Sequence, residues 1–296
     1  MAFLVVCGVV WRAAKPGGLD VDQIRQALTG LVYYLLLPAL VLEVLWQVPL
    51  SLDTPRIALS AASGVIGGLL LSWAICRKQR MPRAVTGAVM LAAAFPNATY
   101  LGLPVLEAVL GPAGRSIAIQ YDLFACTPLL LTAGISVAQY YGVRATPTHP
   151  VLAMLQTPPL LAAILAVVLN LTGVPFPVII HDWLGLMGGA VSPLMLIALG
   201  LSLRWDTLRV SYAWPVAIVT VIQLALMPIW VWLAAQLFGL SGDTLTGMVL
   251  EAAMPSMVLG LVICDRYGLD TSLYAAAVTA TTALSFITLP LWFALL

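Results

Sequence analysis

The chain has 296 residues, of which 62% are hydrophobic and only 8% charged, with a formal net charge of +1. A soluble domain carries about 25% charged residues, so a mean hydropathy of +1.04 makes a bilayer the solvent. The near-neutral balance implies no nucleic-acid partner. Cys7, Cys76, Cys126 and Cys264 are scattered through apolar runs without a CxxC pair, which points to packing rather than to disulfide or metal chemistry.

Residues 2–14 form a first apolar segment, ending at Trp11-Arg12. It is shorter than the roughly 20 residues of a full span, so it either dips in partway or continues a longer segment. The basic residues follow it and no small-x-small site comes after, which argues against a secretory signal. A polar loop from Lys15 to Arg25 leads to the second span, Leu28 to Gln47, interrupted by Pro38 and carrying Glu43. Ile57 to Cys76 is an uncharged third span whose Ser63, Gly64, Gly67 and Gly68 suit close helix packing. After the basic loop of Arg77, Lys78, Arg80 and Arg83, the fourth span (about 84–110) contains Pro96, Asn97, Gly102 and Pro104. Gly111-Pro112 predicts a turn, and the fifth span (about 116–141) carries Gln120 and Asp122.

From Pro150 the pattern restarts, with spans at about 151–171, 183–203, 211–238, 244–264 and 271–295. Pro193 in the seventh answers Pro38, and Pro255 in the ninth answers Pro96; FPNATYLG and MPSMVLG both place Leu-Gly shortly after the proline. The expected fold is all-α and integral to the membrane: ten transmembrane helices as two inverted five-helix repeats, residues 1–145 and 146–296. Helices 4 and 9 are broken and cross at mid-membrane. An odd number of spans per half forces the inversion. If loops alternate sides, Arg56 and Arg115 fall on one side and all other Lys and Arg on the opposite one. The basic side is cytoplasmic, which places both termini outside the cell (inner) membrane.

Proline lacks an N–H and clashes with the preceding turn, so each break frees carbonyls. In hydrocarbon those must be satisfied by protein or a watery cavity, and paired breaks in two halves are the usual mark of a transporter site. The candidate substrate-binding residues are therefore Pro96, Asn97, Gly102, Pro104, Pro255 and Ser256. Asn97 can donate and accept at once; it caps a half-helix, binds a substrate carboxylate, or does both. No basic residue is expected deep in a span, so an anion there would rest on amides and half-helix N-termini. Intramembrane acids are functional candidates by default. Asp122 and Glu251, with Gln120 beside the former, are the candidates for proton or cation coupling, while Glu43 and Glu107 lie nearer span ends and reach water. Ser192, Met257 and Thr127 line a cavity or pack. Trp11, Trp46, Trp183, Trp205, Trp230 and Trp292 suit interfacial anchoring. His149 and His181 are too far apart to suggest a metal site, and no cofactor is expected.

The run Asn97-Ala-Thr-Tyr-Leu-Gly102-Leu-Pro104 resembles the Asn-x-x-(aromatic or apolar)-x-Gly-x-Pro signature of the auxin efflux carrier family. LVYYLLLPALVLEVL, AAMP followed by DRYGLD, and a closing TLPLW add to the resemblance over the whole chain. It implies a scaffold of helices 1, 2, 6 and 7 and a transport unit of helices 3–5 and 8–10, with substrate beside Asn97 and Pro255. The expected activity is secondary transport of small organic anions such as carboxylates or auxin-like weak acids. The alternative is a sodium-coupled carrier of the bile acid symporter type. The partners are the solute and membrane lipid, and a homodimer is compatible with both. Residues 142–150 replace the long loop of the plant carriers, and Ser256 stands where a second Asn would make the site symmetric. No GxxxxGK[ST], HExxH or GxSxG occurs and no His falls inside a span, so neither ATPase nor enzyme is expected.

Overall fold

A computed structural model describes residues 2–47, 53–143 and 157–296. The link at 142–150 lies mostly outside them, as do Arg144, His149 and the expected start of the sixth span. The described residues form helices and contain no strand. Six stretches are long and apolar enough to cross a membrane: α2 (Val21–Gln47), α3 (Asp53–Lys78), α5 (Ala98–Tyr141), Val178–Thr207, α9 (Val210–Leu237) and α12 (Thr271–Leu295). The fourth of these comprises two helices, α7 (Val178–Gly189) and α8 (Val191–Ser202). α1 (Ala2–Ala14), α4 (Arg83–Ala94) and α6 (Pro158–Leu171) are apolar but shorter. α10 (Gly242–Ala252) and α11 (Gly260–Tyr267) flank a non-helical stretch.

Several prolines are absorbed rather than allowed to break a helix. π turns occur at Val32–Leu36, Ala98–Gly102, Asp122–Cys126 and Ile222–Leu226. Each ends two residues before a proline: Pro38, Pro104, Pro128 or Pro228. The residue just before each proline donates its N–H five residues back, as Leu37 does to Val32 and Thr127 to Asp122. The wider turn makes room for the pyrrolidine ring and keeps the ladder bonded where lipid offers no substitute. Pro193 causes no such distortion, because it sits in the first turn of α8, where a missing N–H costs little.

Gly111 has φ 63° and ψ −143°, a left-handed geometry suited to glycine. There α5 doubles back, so that Leu106 meets Gly114 and Glu107 meets Arg115. This is the turn expected at Gly111-Pro112. α1 packs on α8, and α6, α7 and α8 pack on α2. α4 and α9 pack on α3, and α10 packs on α5 and α9. Glycine permits the tightest approaches: a methyl at Gly8 or Gly200 would strike backbone of the partner helix. Trp46 and Trp292 each donate their indole N–H, to the carbonyls of Val174 and Leu224 at 2.9 Å.

Candidate functional site

The two interruptions meet. Pro96 and Ser256 form an isolated antiparallel bridge: the Asn97 N–H donates to the Pro255 carbonyl at 2.7 Å, and the Met257 N–H to the Phe95 carbonyl at 3.0 Å. Side chains from neighbouring helices take up the other freed groups. Ser256 Oγ donates to the Ala92 carbonyl (2.6 Å), its N–H donates to Thr281 Oγ1 (3.1 Å), and the Tyr274 hydroxyl donates to the Met257 carbonyl (2.9 Å). Gln223 Nε2 reaches the carbonyls of Met254 (2.9 Å) and Ala252 (3.3 Å). The breaks are thus held open against lipid by polar side chains, as the cost of an unpaired buried backbone group requires.

A cavity of about 320 Å³ lies beside this meeting point, at the small end of the range for ligand sites. Residues 96–100, at the N-terminus of α5, and 257–259, just before α11, both line it. Asn97 is 3% exposed. Its Oδ1 accepts the Tyr100 N–H at 3.3 Å, the capping role considered for it, while Nδ2 has no partner. Asp122 lines the same cavity, with Oδ1 accepting from Thr127 (3.0 Å) and Oδ2 from Thr99.

Of the residues singled out from sequence, Pro96, Asn97, Asp122, Thr127 and Met257 share this lining. Gly102, Pro104, Pro255, Ser256, Gln120 and Glu251 lie off it. Ser256 is committed to backbone, as above, and Gln120 donates to Ser116 Oγ at 2.9 Å. Glu251 is fully buried behind the π turn at 98–102: both carboxyl oxygens lack partners, and Gly102 lies directly against the carboxylate. The Tyr121 hydroxyl is also buried without a partner.

Three findings depart from expectation. Arg25 is not a loop residue. Asp20 caps α2 by accepting the Gln23 N–H at 2.9 Å, so the helix begins at Val21 and Arg25 lines the cavity one turn in. Glu43 and Glu107 do not simply reach water. Arg115 stands between them, paired with Glu107 Oε1 and 3.8 Å from Glu43 Oε2, and Ser192 Oγ donates to Glu107 Oε2 at 2.9 Å. This cluster ties α2 and α8 to the hairpin in α5. Gln223, which seals the second break, carried no sequence signal beyond being an amide in an apolar span. Among the described residues no group of three or more His, Cys, Asp or Glu could hold a metal ion.

Comparison with known proteins agrees with the architecture. Residues 1–146 and 148–293 match a family model described as membrane transport protein. An uncharacterized transporter of Methanothermobacter thermautotrophicus is 28% identical over 98% of this chain and 94% of its own length. The uncharacterized transporter MJ1031 of Methanocaldococcus jannaschii is 27% identical over 70% of this chain and 67% of its own length. The uncharacterized transporter YfdV of Escherichia coli K12 is 24% identical over 80% and 77%. With the family model spanning both halves and the Asn97–Pro104 motif at the meeting of two broken helices, the chain belongs to the membrane transport protein family, the auxin efflux carrier-like group of integral membrane transporters.

Proposed function

We propose that this chain is a secondary transporter of small organic anions, working by alternating access around the crossover of two broken helices. The observation that carries the reading is Asn97: a buried amide donor without a partner, on the wall of a ligand-sized cavity. A buried donor left open costs about 1–3 kcal/mol, and a carboxylate oxygen would complete it. The N-termini of α5 and α11 add partial positive charge at the same place. Asp122 faces the same cavity, where two negative charges would repel, so anion and proton binding favour each other and inward movement is coupled to protons.

In this reading the chain is two inverted five-helix repeats, with α1, α2, α6, α7 and α8 as the scaffold and the other helices as the moving unit. Both termini lie outside. The cavity, with Arg25 and Thr157 on its wall, opens to the cytoplasm, while the Glu43–Arg115–Glu107 cluster closes the outer side. Uptake of labelled carboxylates into proteoliposomes under an imposed pH gradient tests the proposal. The expected result is accumulation that collapses with a protonophore, ignores sodium and is lost in Asn97→Ala. A panel of mono- and dicarboxylates moving no faster than into empty liposomes would overturn it.

A further inference from the structure

We infer that the end of α3 at Lys78 carries a second binding site, which holds the phosphate of an anionic phospholipid headgroup. The inference does not depend on what the chain moves across the membrane. Arg77, Lys78, Arg80 and Arg83 crowd the turn between α3 and α4, with no acid among residues 77–83. Other arginines have acids: Arg12, Arg25 and Arg204 gather on Asp22, Arg56 meets Asp53, and Arg115 stands between Glu43 and Glu107. Among the described residues none of the four meets a carboxylate. Arg77 instead lies over the Trp73 ring at 5.2 Å, and Arg83 over Tyr140 and Tyr141 at 4.9 and 5.9 Å. Arg83 also donates to the Tyr140 carbonyl. Stacking on a ring orients a guanidinium but leaves its charge in place. The C-termini of α3 and α5 offset about half a charge each, so the cluster stays strongly positive.

This charge borders an open cleft of about 660 Å³. Arg77 and Arg80 line it with Trp73, Ser136, Tyr140 and Tyr141, and among the described residues no acidic side chain does. The backbone at Arg80 is a second observation. α3 ends in a turn where the Arg80 N–H donates to the Arg77 carbonyl at 3.2 Å and the Met81 N–H to the Cys76 carbonyl at 3.1 Å, with Arg80 at φ 54°. Glycine usually holds that left-handed position, because a side chain there is strained. A cation is thus kept where stability alone favours glycine. Two guanidiniums on one cleft match the several acceptor oxygens of a phosphate. The bilayer suits the rest of the ligand. Leu59, Ile66 and Leu70 are exposed and share one face of α3 with Trp73 and Arg77. An acyl chain laid along that stripe puts its headgroup at Arg77, with the aromatic rings at interfacial depth. In the orientation proposed above this end is cytoplasmic, where basic pockets between helices meet anionic lipid. A zwitterionic headgroup would bring its own ammonium against three guanidiniums.

The test is the melting temperature of the purified full chain in detergent, titrated with dioleoylphosphatidylglycerol, dioleoylphosphatidylcholine or glycerophosphate. It is run on the unmodified chain and on Arg80→Gly, Arg77→Gln and Arg209→Gln. Phosphatidylglycerol should raise the melting temperature by roughly 5–10 °C at about a hundredfold excess over its Kd. Phosphatidylcholine should not, and glycerophosphate, which lacks the chains, should act only at far higher concentration. Losing either Arg80 or Arg77 should weaken phosphatidylglycerol binding roughly tenfold to a hundredfold. Arg80→Gly should do so with no loss of lipid-free melting temperature, because glycine relieves the strained turn. Arg209→Gln, which removes a cation outside the cleft, should leave binding unchanged. Equal shifts with the two lipids overturn the inference, and that comparison needs no variant to fold. Unchanged phosphatidylglycerol affinity in both Arg80→Gly and Arg77→Gln overturns it as well. So does glycerophosphate as potent as the lipid, which would make the cleft a site for a soluble phosphate.

Discussion

Gln223→Met tests whether the second break is sealed from water. Gln223 is fully buried, and its Nε2 donates to the carbonyls of Met254 and Ala252. The Ala252 carbonyl lacks its helical partner, because the Ser256 N–H is engaged by Thr281. Methionine preserves shape and removes the donor. Two carbonyls left open cost about 1–3 kcal/mol each. Against this, Gln223 Oε1 is itself buried without a partner, and its removal returns a similar amount for one group. The net loss is about 2 kcal/mol, which at about 2–4 °C per kcal/mol for a chain near this size lowers the melting temperature by roughly 4–8 °C. The assay is thermal unfolding of the purified protein in detergent, followed by size-exclusion fluorescence, with Gln236→Met on an exposed helix end as control. A shift no larger than the control's would mean that water already reaches these carbonyls, and the sealed-break argument would fail.

Four further outcomes are expected. Asn97→Ala removes a cap worth about 1 kcal/mol, so the protein should remain folded while uptake falls more than tenfold; parallel loss of fold and uptake would reduce Asn97 to a structural cap. Gly102→Ala places a methyl 2.7 Å from Glu251 Cδ and should cost about 1–3 kcal/mol by overpacking. Adding Glu251→Ala should restore stability, and a neutral Gly102→Ala would contradict the packing described. Arg115→Gln leaves Glu43 and Glu107 without their shared cation. In a Cys7→Ser background, Ser192→Cys should then react faster with an impermeant maleimide added outside, and unchanged labelling would argue against an outer closure. Asp122→Asn should bind substrate yet no longer accumulate it under a pH gradient; gradient-driven accumulation at the parental level would remove Asp122 from coupling.

The two breaks were legible because Pro96-Asn97 and Pro255-Ser256 each punctuate an apolar run long enough to span a membrane. That they touch is a tertiary fact, although their matching places in the two halves pointed to it. Hydropathy alone does not place Arg25 in a helix, because the polar first turns of α2 lie outside the apolar run. Asp20 and Gln23 cap a helix that starts well before the apolar run, and that capping pattern was the available signal. The roles of Gln223, whose partners lie 29 and 31 residues away, and of Arg115 between two distant acids had no local signature. Pro38 and Pro104 announced distortion but not its kind, since a broken helix and a widened turn answer the same missing N–H.

The widened turns ahead of Pro38, Pro104, Pro128 and Pro228 carry one residue more than a regular screw accommodates. Each therefore offsets everything downstream by about 100° relative to an unbroken α-helix. Removing a single residue from 122–126 would rewind that turn and rotate the face of α5 carrying Thr127, Leu130 and Leu131 away from the cavity, although no contact residue had been replaced. In this chain the length of a segment is as much a determinant of which side chains meet the solute as their identity.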